Sequence, residues 1–100
     1  MMKASVAHEE GQTVLAIEGS LDASNASELR PVVDKLVEEK RSPIVINLAA
    51  LRLIDSSGVA VLVGLLKRSK AQGGTVRLEG LTAQPLAIFK LLRLDKVFHP

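Results

Sequence analysis

The chain has 100 residues, of which 47% are hydrophobic and 24% charged, with a formal net charge of +2 and no cysteine. These values predict one globular domain with a substantial core, and they exclude a disulfide framework, a disordered tail and a sensor joined to a separate effector domain. The basic residues are spread along the chain and its two aromatic residues, Phe89 and Phe98, offer no stacking platform, so nucleic-acid binding is not expected.

Two strands joined by a tight turn are predicted at the start of the chain. Residues 13–18 form a short apolar run rich in β-formers, and a glycine lies close to each end of it, Gly11 and Gly19. A weaker strand pattern covers residues 3–8. We therefore expect a hairpin that turns near Glu10 and Gly11.

The first helix is predicted after a loop rich in capping residues, 20–25. Asn25, with Glu28 three residues later, resembles a capping box, and apolar residues follow with helical spacing. A helix is therefore expected from about Ala26 to Glu39. Pro31 conflicts with this pattern because it lacks an N–H group and its ring crowds the preceding turn, so we expect a kink or a later start.

The middle of the chain alternates between strand and helix patterns. Residues 43–48 form a continuous apolar run of strand length, which predicts a strand buried on both faces in the middle of a sheet. Residues 57–71 predict a second helix that is apolar in its first half and polar towards its end. Gly73 and Gly74 provide its stop signal.

The last third of the chain continues the alternation. Residues 75–78 predict another strand, and Thr82 followed by Pro85 opens a third helix. Residues 97–98 are candidates for a final edge strand. Strands that alternate with helices indicate an α/β fold, here a mixed β-sheet of about four to five strands with helices packed on it, forming a single domain over residues 1–100.

A group of polar residues interrupts the apolar run 53–63 where an extended segment ends and the second helix begins. The first N–H groups of that helix need partners, and Asp55 or Ser56 can supply one as an N-cap. One cap is enough, which leaves a second hydroxyl, Ser57, without an explanation. It precedes Gly58, which would let another macromolecule approach a helix end that favours anions. A purely structural cap and a modification site both remain open interpretations.

The segment 54–59, together with 19–22 upstream and 73–74 downstream, resembles the STAS domain of bacterial anti-sigma factor antagonists. The resemblance runs from about Val14 to Phe98 in the order and spacing of that family. It implies that Ser57, the serine just before the glycine, is phosphorylated by a serine kinase that is also the anti-sigma factor. The ATP would belong to the kinase, so the resemblance implies no cofactor for this chain.

The resemblance also implies a partner-binding surface around the phosphoacceptor, formed by Leu21, Asp22, Asp55, Ser56, Gly58 and Val59. The apolar stripe of the second helix is core by default; exposure of part of it near Val59 is kept as an alternative, because a contact surface around Ser57 needs some apolar area to anchor binding. The unphosphorylated form would bind the anti-sigma factor, and the phosphorylated form would dissociate until a PP2C-type serine phosphatase resets it. A new charge in an interface is costly unless it is paired, which agrees with this direction.

Catalytic alternatives find little support in the sequence. Ser57 is not part of a G-x-S-x-G motif, and the two histidines, His8 and His99, lie near the chain ends and are expected to be solvated. No group of residues has metal-ligand spacing, and no nucleotide-binding P-loop is present. We therefore do not expect an enzyme.

A second function is compatible with the same fold. STAS domains also occur as small subunits of bacterial lipid-transport ABC complexes, where the domain is a structural regulator and no kinase is involved. The tandem serines Ser56 and Ser57 favour the phosphorylation switch. Residues 1–10 lack the apolar stretch of a secretory signal, and no apolar run reaches the roughly 20 residues of a membrane span, so we expect a cytoplasmic protein without direct membrane insertion.

Overall fold

Five strands and three helices make up residues 1–98, which are the residues that the computed structural model describes; His99 lies outside them. The α/β fold and the mixed sheet are as predicted. In chain order the elements are β1 (Met2–Glu9), β2 (Gln12–Leu21), α1 (Ala26–Glu38), β3 (Ile44–Asn47), β4 (Leu51–Ile54), α2 (Ser56–Ala71), β5 (Val76–Glu79) and α3 (Ala83–Leu91).

The sheet is built around β2. Strand β1 pairs with it in antiparallel fashion through a turn at Glu10 and Gly11, where Gly11 has a φ of 80°, so the predicted hairpin is confirmed. On the other edge of β2, β3 pairs with residues 13–16 and β4 with residues 19–21, both in parallel. Strand β3 lies between β2 and β5, and Ile44 to Ile46 are buried, which confirms the prediction of a central strand.

Strands β2 and β5 each have one face buried in the core. Alternate residues of β2, namely Thr13, Leu15 and Ile17, are buried, whereas the residues between them are only half-buried. Strand β5 shows the same alternation. The buried face joins the apolar sides of the helices in one core cluster, whose strand members include Leu15 and Leu78 and whose helix members include Leu36 and Leu62. This is the alternation expected of strands with one covered face.

The segment before α2 was expected only to be extended, and it forms the strand β4. The first helix also differs from its prediction, at Pro31. Helix α1 begins at Ala26 and continues past Pro31 to Glu38, so the later start is wrong. The proline removes one hydrogen bond, to the carbonyl of Ser27, but Ser27 and Pro31 are both exposed, so water can satisfy that carbonyl.

The end of the described chain forms turns instead of the edge strand considered for residues 97–98. Phe98 is fully buried, and its ring lies 6.0 Å from that of Phe89 on α3 at an interplanar angle of 57°. Burial of this large side chain against Phe89 fixes the segment to the core. Within residues 1–98, each helix falls short of the length or apolarity that crossing a bilayer requires.

Candidate functional site

The start of α2 is organised by one carboxylate. Asp55 is the N-cap residue, with extended backbone, and its Oδ1 accepts hydrogen bonds from the backbone N–H groups of Ser57, at 2.9 Å, and Gly58, at 3.1 Å. This confirms the predicted cap, although α2 begins at Ser56, one residue earlier than expected. The carboxylate therefore occupies the backbone N–H groups of Ser57 itself and of the residue that follows it.

The same carboxylate also holds the loop that follows β2. Its second oxygen, Oδ2, accepts a hydrogen bond from Ala23 N at 3.0 Å, and the backbone N–H of Asp55 donates to the carbonyl of Leu21 at 3.2 Å. The loop 22–25 and the start of α2 are therefore fixed to each other. The structure thus brings Leu21, Asp22 and Asp55 to one place, as predicted.

The loop 22–25 is ordered by its own polar side chains. Asp22 Oδ1 accepts hydrogen bonds from the hydroxyl and the backbone N–H of Ser24, and these bonds hold the pKa of the Asp22 carboxyl below its usual range. The carbonyl of Asp22 accepts hydrogen bonds from the N–H groups of Asn25 and Ala26, the latter at 2.8 Å. Asp22 therefore closes the loop and also receives the first N–H group of α1.

Asn25 stands at the N-cap position of α1, but its side chain does not cap the helix. Its Oδ1 accepts a hydrogen bond from Asp22 N at 2.9 Å, and its Nδ2 donates to the carbonyl of Ser20 at 2.8 Å. The predicted capping box is therefore wrong. The amide is buried, and because it points back into the loop, it finds partners in the end of β2 and the loop that follows.

Gly58 has no room for a side chain. A Cβ at this position would lie 2.7 Å from Leu21 Cγ, 2.8 Å from Ile54 Cγ1 and 2.9 Å from the Leu21 carbonyl oxygen. The glycine therefore allows α2 to approach the ends of β2 and β4. The expectation that it opens the surface to another macromolecule is wrong, because Gly58 is buried against its own chain.

The exposed part of the site is small and polar. Ser56 is exposed, and Ser57, Asp55 and Asp22 are half-buried. Leu21 and Val59 are 0% and 5% exposed, so the default interpretation of the stripe as core is confirmed at Val59 and the alternative of an exposed Val59 is not. Both apolar side chains are core residues beneath the site. Val59 is buried because α2 turns this stripe towards the sheet, and Leu21 lies at the end of β2.

Sequence analysis missed one residue at the site, Gln84 on α3. Its carboxamide oxygen accepts a hydrogen bond from Ile54 N at 2.9 Å, and its nitrogen donates to the carbonyl of Ile54 at 3.0 Å. The side chain thus pairs with β4 in the way a neighbouring strand would, immediately before Asp55. The one signal in the sequence that pointed to Gln84 was a polar residue in the first turn of a mainly apolar helix.

His8, the one histidine among residues 1–98, lies away from the site. His8 lies near Thr13, 3.3 Å from its hydroxyl, at the opposite end of β2 from Leu21, so it is not placed to act on Ser57. Among residues 1–98 no cluster of three His, Cys, Asp or Glu side chains is arranged to hold a metal ion. The arrangement instead presents a hydroxyl, a carboxylate and an ordered loop on one surface.

The chain matches the family model of the STAS domain over residues 3–100. It is 30% identical over 92 residues to the anti-sigma-B factor antagonist of Bacillus subtilis, which covers 92% of this chain and 84% of that protein. It is similar in fold to the crystal structure of an anti-sigma factor antagonist from Mycobacterium paratuberculosis, with a TM-score of 0.84, 23% identity and coverage of 99% of this chain and 84% of the other. It is also similar to the Bacillus cell fate determinant SpoIIAA in its phosphorylated form, with a TM-score of 0.76, 20% identity and coverage of 94% and 86%. The polar site at the start of α2 therefore lies on a shared fold, and the chain belongs to the STAS domain family, among the anti-sigma factor antagonists.

Proposed function

We propose that the protein is an anti-sigma factor antagonist whose binding to its partner is switched off by phosphorylation of Ser57. The observation that carries this proposal is the Asp55 carboxylate, which already accepts the hydrogen bonds of the N–H groups at Ser57 and Gly58. A phosphate on Ser57 would add about −1.5 to −2 charge. The helix N–H groups that would best neutralise it are occupied by another anion.

The new charge would therefore remain on the surface. Asp55 lies two residues away and is joined to the loop of Asp22, where hydrogen bonds from Ser24 hold the pKa of the carboxyl below its usual range. Phosphorylation would create a local cluster of negative charge on a surface that is mostly polar. A partner docked there would have to desolvate a dianion, which is costly unless the charge is paired.

The partner in this proposal is an anti-sigma factor that is also a serine kinase and brings its own ATP. A PP2C-type serine phosphatase restores the binding form. Support comes from the name of the Bacillus subtilis relative, an anti-sigma-B factor antagonist, and from SpoIIAA, which has been solved in a phosphorylated form. The switch requires no cofactor, nucleic acid or membrane insertion by this chain, and we place it in the cytoplasm.

The surface available for this contact consists mainly of Asp22, Ala23, Asp55, Ser56 and Ser57. In this arrangement the buried residues Leu21, Gly58 and Val59 have an indirect role. Their packing sets the distance between α2 and the end of β2. Their partner-binding role is thus to shape the surface through packing. The residues above them provide the polar contacts.

The test is phosphopeptide mapping of the protein recovered from its own cells, with identification of whatever co-purifies. We expect phosphate on Ser57 and a kinase in the pull-down. The variant Ser57→Ala should fold normally, bind constitutively and resist phosphorylation, whereas Ser57→Asp should bind weakly. Ser56→Ala is the matched control, since it removes the neighbouring exposed hydroxyl and should leave phosphorylation intact.

Two results would contradict the proposal. If Ser57→Ala protein is still phosphorylated at one site, the phosphoacceptor is another residue. An unmodified Ser57 together with a transporter ATPase in the pull-down would favour the other role known for the fold, a structural subunit of a lipid-transport ABC complex.

A further inference from the structure

Strand β1 leaves one edge of the sheet open over its whole length. Among residues 1–98 it is the terminal strand of the sheet and pairs only with β2, in a register that runs without interruption from Met2 opposite Gly19 to Glu9 opposite Gln12. Open edges in natural proteins are usually short, bulged, or protected by proline and charge. β1 has eight residues, no proline and no bulge, and carries a lysine only at position 3.

The direction of the free backbone groups follows from the hairpin. Ser20 N donates to the Met1 carbonyl at 2.9 Å, so the odd-numbered residues of β1 exchange hydrogen bonds with β2. The even-numbered residues point their N–H and C=O groups away from the sheet. These residues are Met2, Ala4, Val6 and His8.

One antiparallel pairing of β1 with a second β1 satisfies both the backbone and the charges. Suppose that the two-fold axis passes midway between Val6 of one copy and Val6 of the other. The hydrogen-bonded pairs are then Val6 with Val6 and Ala4 with His8, all of them even-numbered residues. The same register places Lys3 of each copy directly opposite Glu9 of the other. Neither residue takes part in an ion pair within residues 1–98, although Glu9 accepts a hydrogen bond from Gln12.

The helix side of this edge is also incomplete. A cavity of about 300 Å³ lies between β1 and α1, and Val6, His8, Val32 and Lys35 are among its lining residues. Val6 is 38% exposed at this position. In the pairing described, the Val6 side chain of the second copy lies at the mouth of the cavity, on the same face of the sheet.

We propose that β1 pairs with β1 of a second copy of this chain, about a two-fold axis at Val6, and joins two five-stranded sheets into one. Such a contact adds about six main-chain hydrogen bonds and two Lys3–Glu9 pairs. It uses neither the loop 22–25 nor the start of α2, so the surface around Ser57 stays open in both copies. The inference does not rest on phosphorylation of Ser57.

A single cysteine tests the position of the axis, because the chain has none of its own. In Val6→Cys the two thiols face each other across the axis, with Cα atoms about 5.5 Å apart, which a disulfide can span. Mild oxidation should therefore give a covalent dimer. Lys3→Cys is the matched control on the same strand: its two thiols would be roughly 20 Å apart, six residues along the strand, and should not cross-link.

Charge exchange tests the register independently. Sedimentation velocity over a range of concentrations should show a dimer for the natural chain, and Lys3→Glu should weaken self-association roughly tenfold or more, because two attractive pairs become repulsive. The double variant Lys3→Glu/Glu9→Lys should restore it, even though Glu at position 3 still lies opposite Glu18. Circular dichroism confirms that each variant is folded. A natural chain that is monomeric at all concentrations, equal cross-linking of the two cysteine variants, or a dimer insensitive to Lys3→Glu would overturn the proposal.

Discussion

Two glycines of the same helix provide a direct test of how the site is packed. Gly58 and Gly64 both lie in α2, but apart from the backbone of its own helix and its chain neighbours a Cβ at Gly64 meets no described atom within 4 Å, whereas at Gly58 it would meet Leu21 and Ile54 at less than 3.0 Å. Leu21 and Ile54 are 0% and 3% exposed, and one of the contacts is a backbone carbonyl. The chain cannot relieve these contacts by moving an exposed side chain.

The two substitutions should change the free energy of unfolding in opposite directions. Gly64→Ala should raise the free energy of unfolding by up to about 1 kcal/mol, the difference in helix propensity. Gly58→Ala gains no more from propensity and loses about 1–3 kcal/mol to overpacking. The two variants should therefore differ by about 1–3 kcal/mol, which corresponds to a gap in Tm of at least about 4 °C for a domain of this size.

The assay is thermal and urea unfolding followed by circular dichroism, on the natural chain and both alanine variants. In Gly58→Ala we also expect shifted amide resonances at Ala23 and Ser57, since Asp55 connects these groups. Equal stability of the two variants would refute the conclusion that Gly58 is needed for the close approach of α2 to β2.

Three further changes probe the polar contacts of the site. Asp55→Ala should lower the free energy of unfolding by about 1–3 kcal/mol, because it removes the cap and its charge at the helix end, and urea unfolding measures this loss. Gln84→Ala should cost about 1–3 kcal/mol by leaving both backbone groups of Ile54 without their partners, seen as faster hydrogen exchange at Ile54. Ser24→Ala should raise the pKa of Asp22, as followed by NMR titration. Because folding lowers this pKa, the contribution of Asp22 to stability is present above the ordinary aspartate range and is lost as the pH falls through the lowered value, and Ser24→Ala should reduce that acid-side loss.

Two predictions that rested on local patterns agree with the structure. The continuous apolar run before Leu48 predicted the central strand because a strand covered on both faces needs no polar alternation. Asp55 was predicted as a cap because it directly precedes an apolar helix. Both signals lie within a few residues of the feature they determine.

The features that were missed depend on residues distant in the chain. Gln84 reaches Ile54 across 30 positions, and no periodicity marks that contact. Asn25 has the residue type of a cap, but its amide is turned towards the end of β2 by the packing of the loop. Phe98 has the β-propensity of a strand residue, yet burial of its ring against Phe89 decides its place.

Strand β2 is paired along both edges, with β1 on one side and β3 and β4 on the other. Its amides should open only with the whole domain, so in native-state hydrogen exchange they belong to the slowest class. The loop 22–25 continues directly from this strand and is tied to α2 through Asp55. The surface around Ser57 is thus attached to the strand whose local unfolding requires the most free energy. We therefore expect a modification at Ser57 to leave the backbone of the domain unchanged. A partner would then respond to the change in electrostatic potential at this surface.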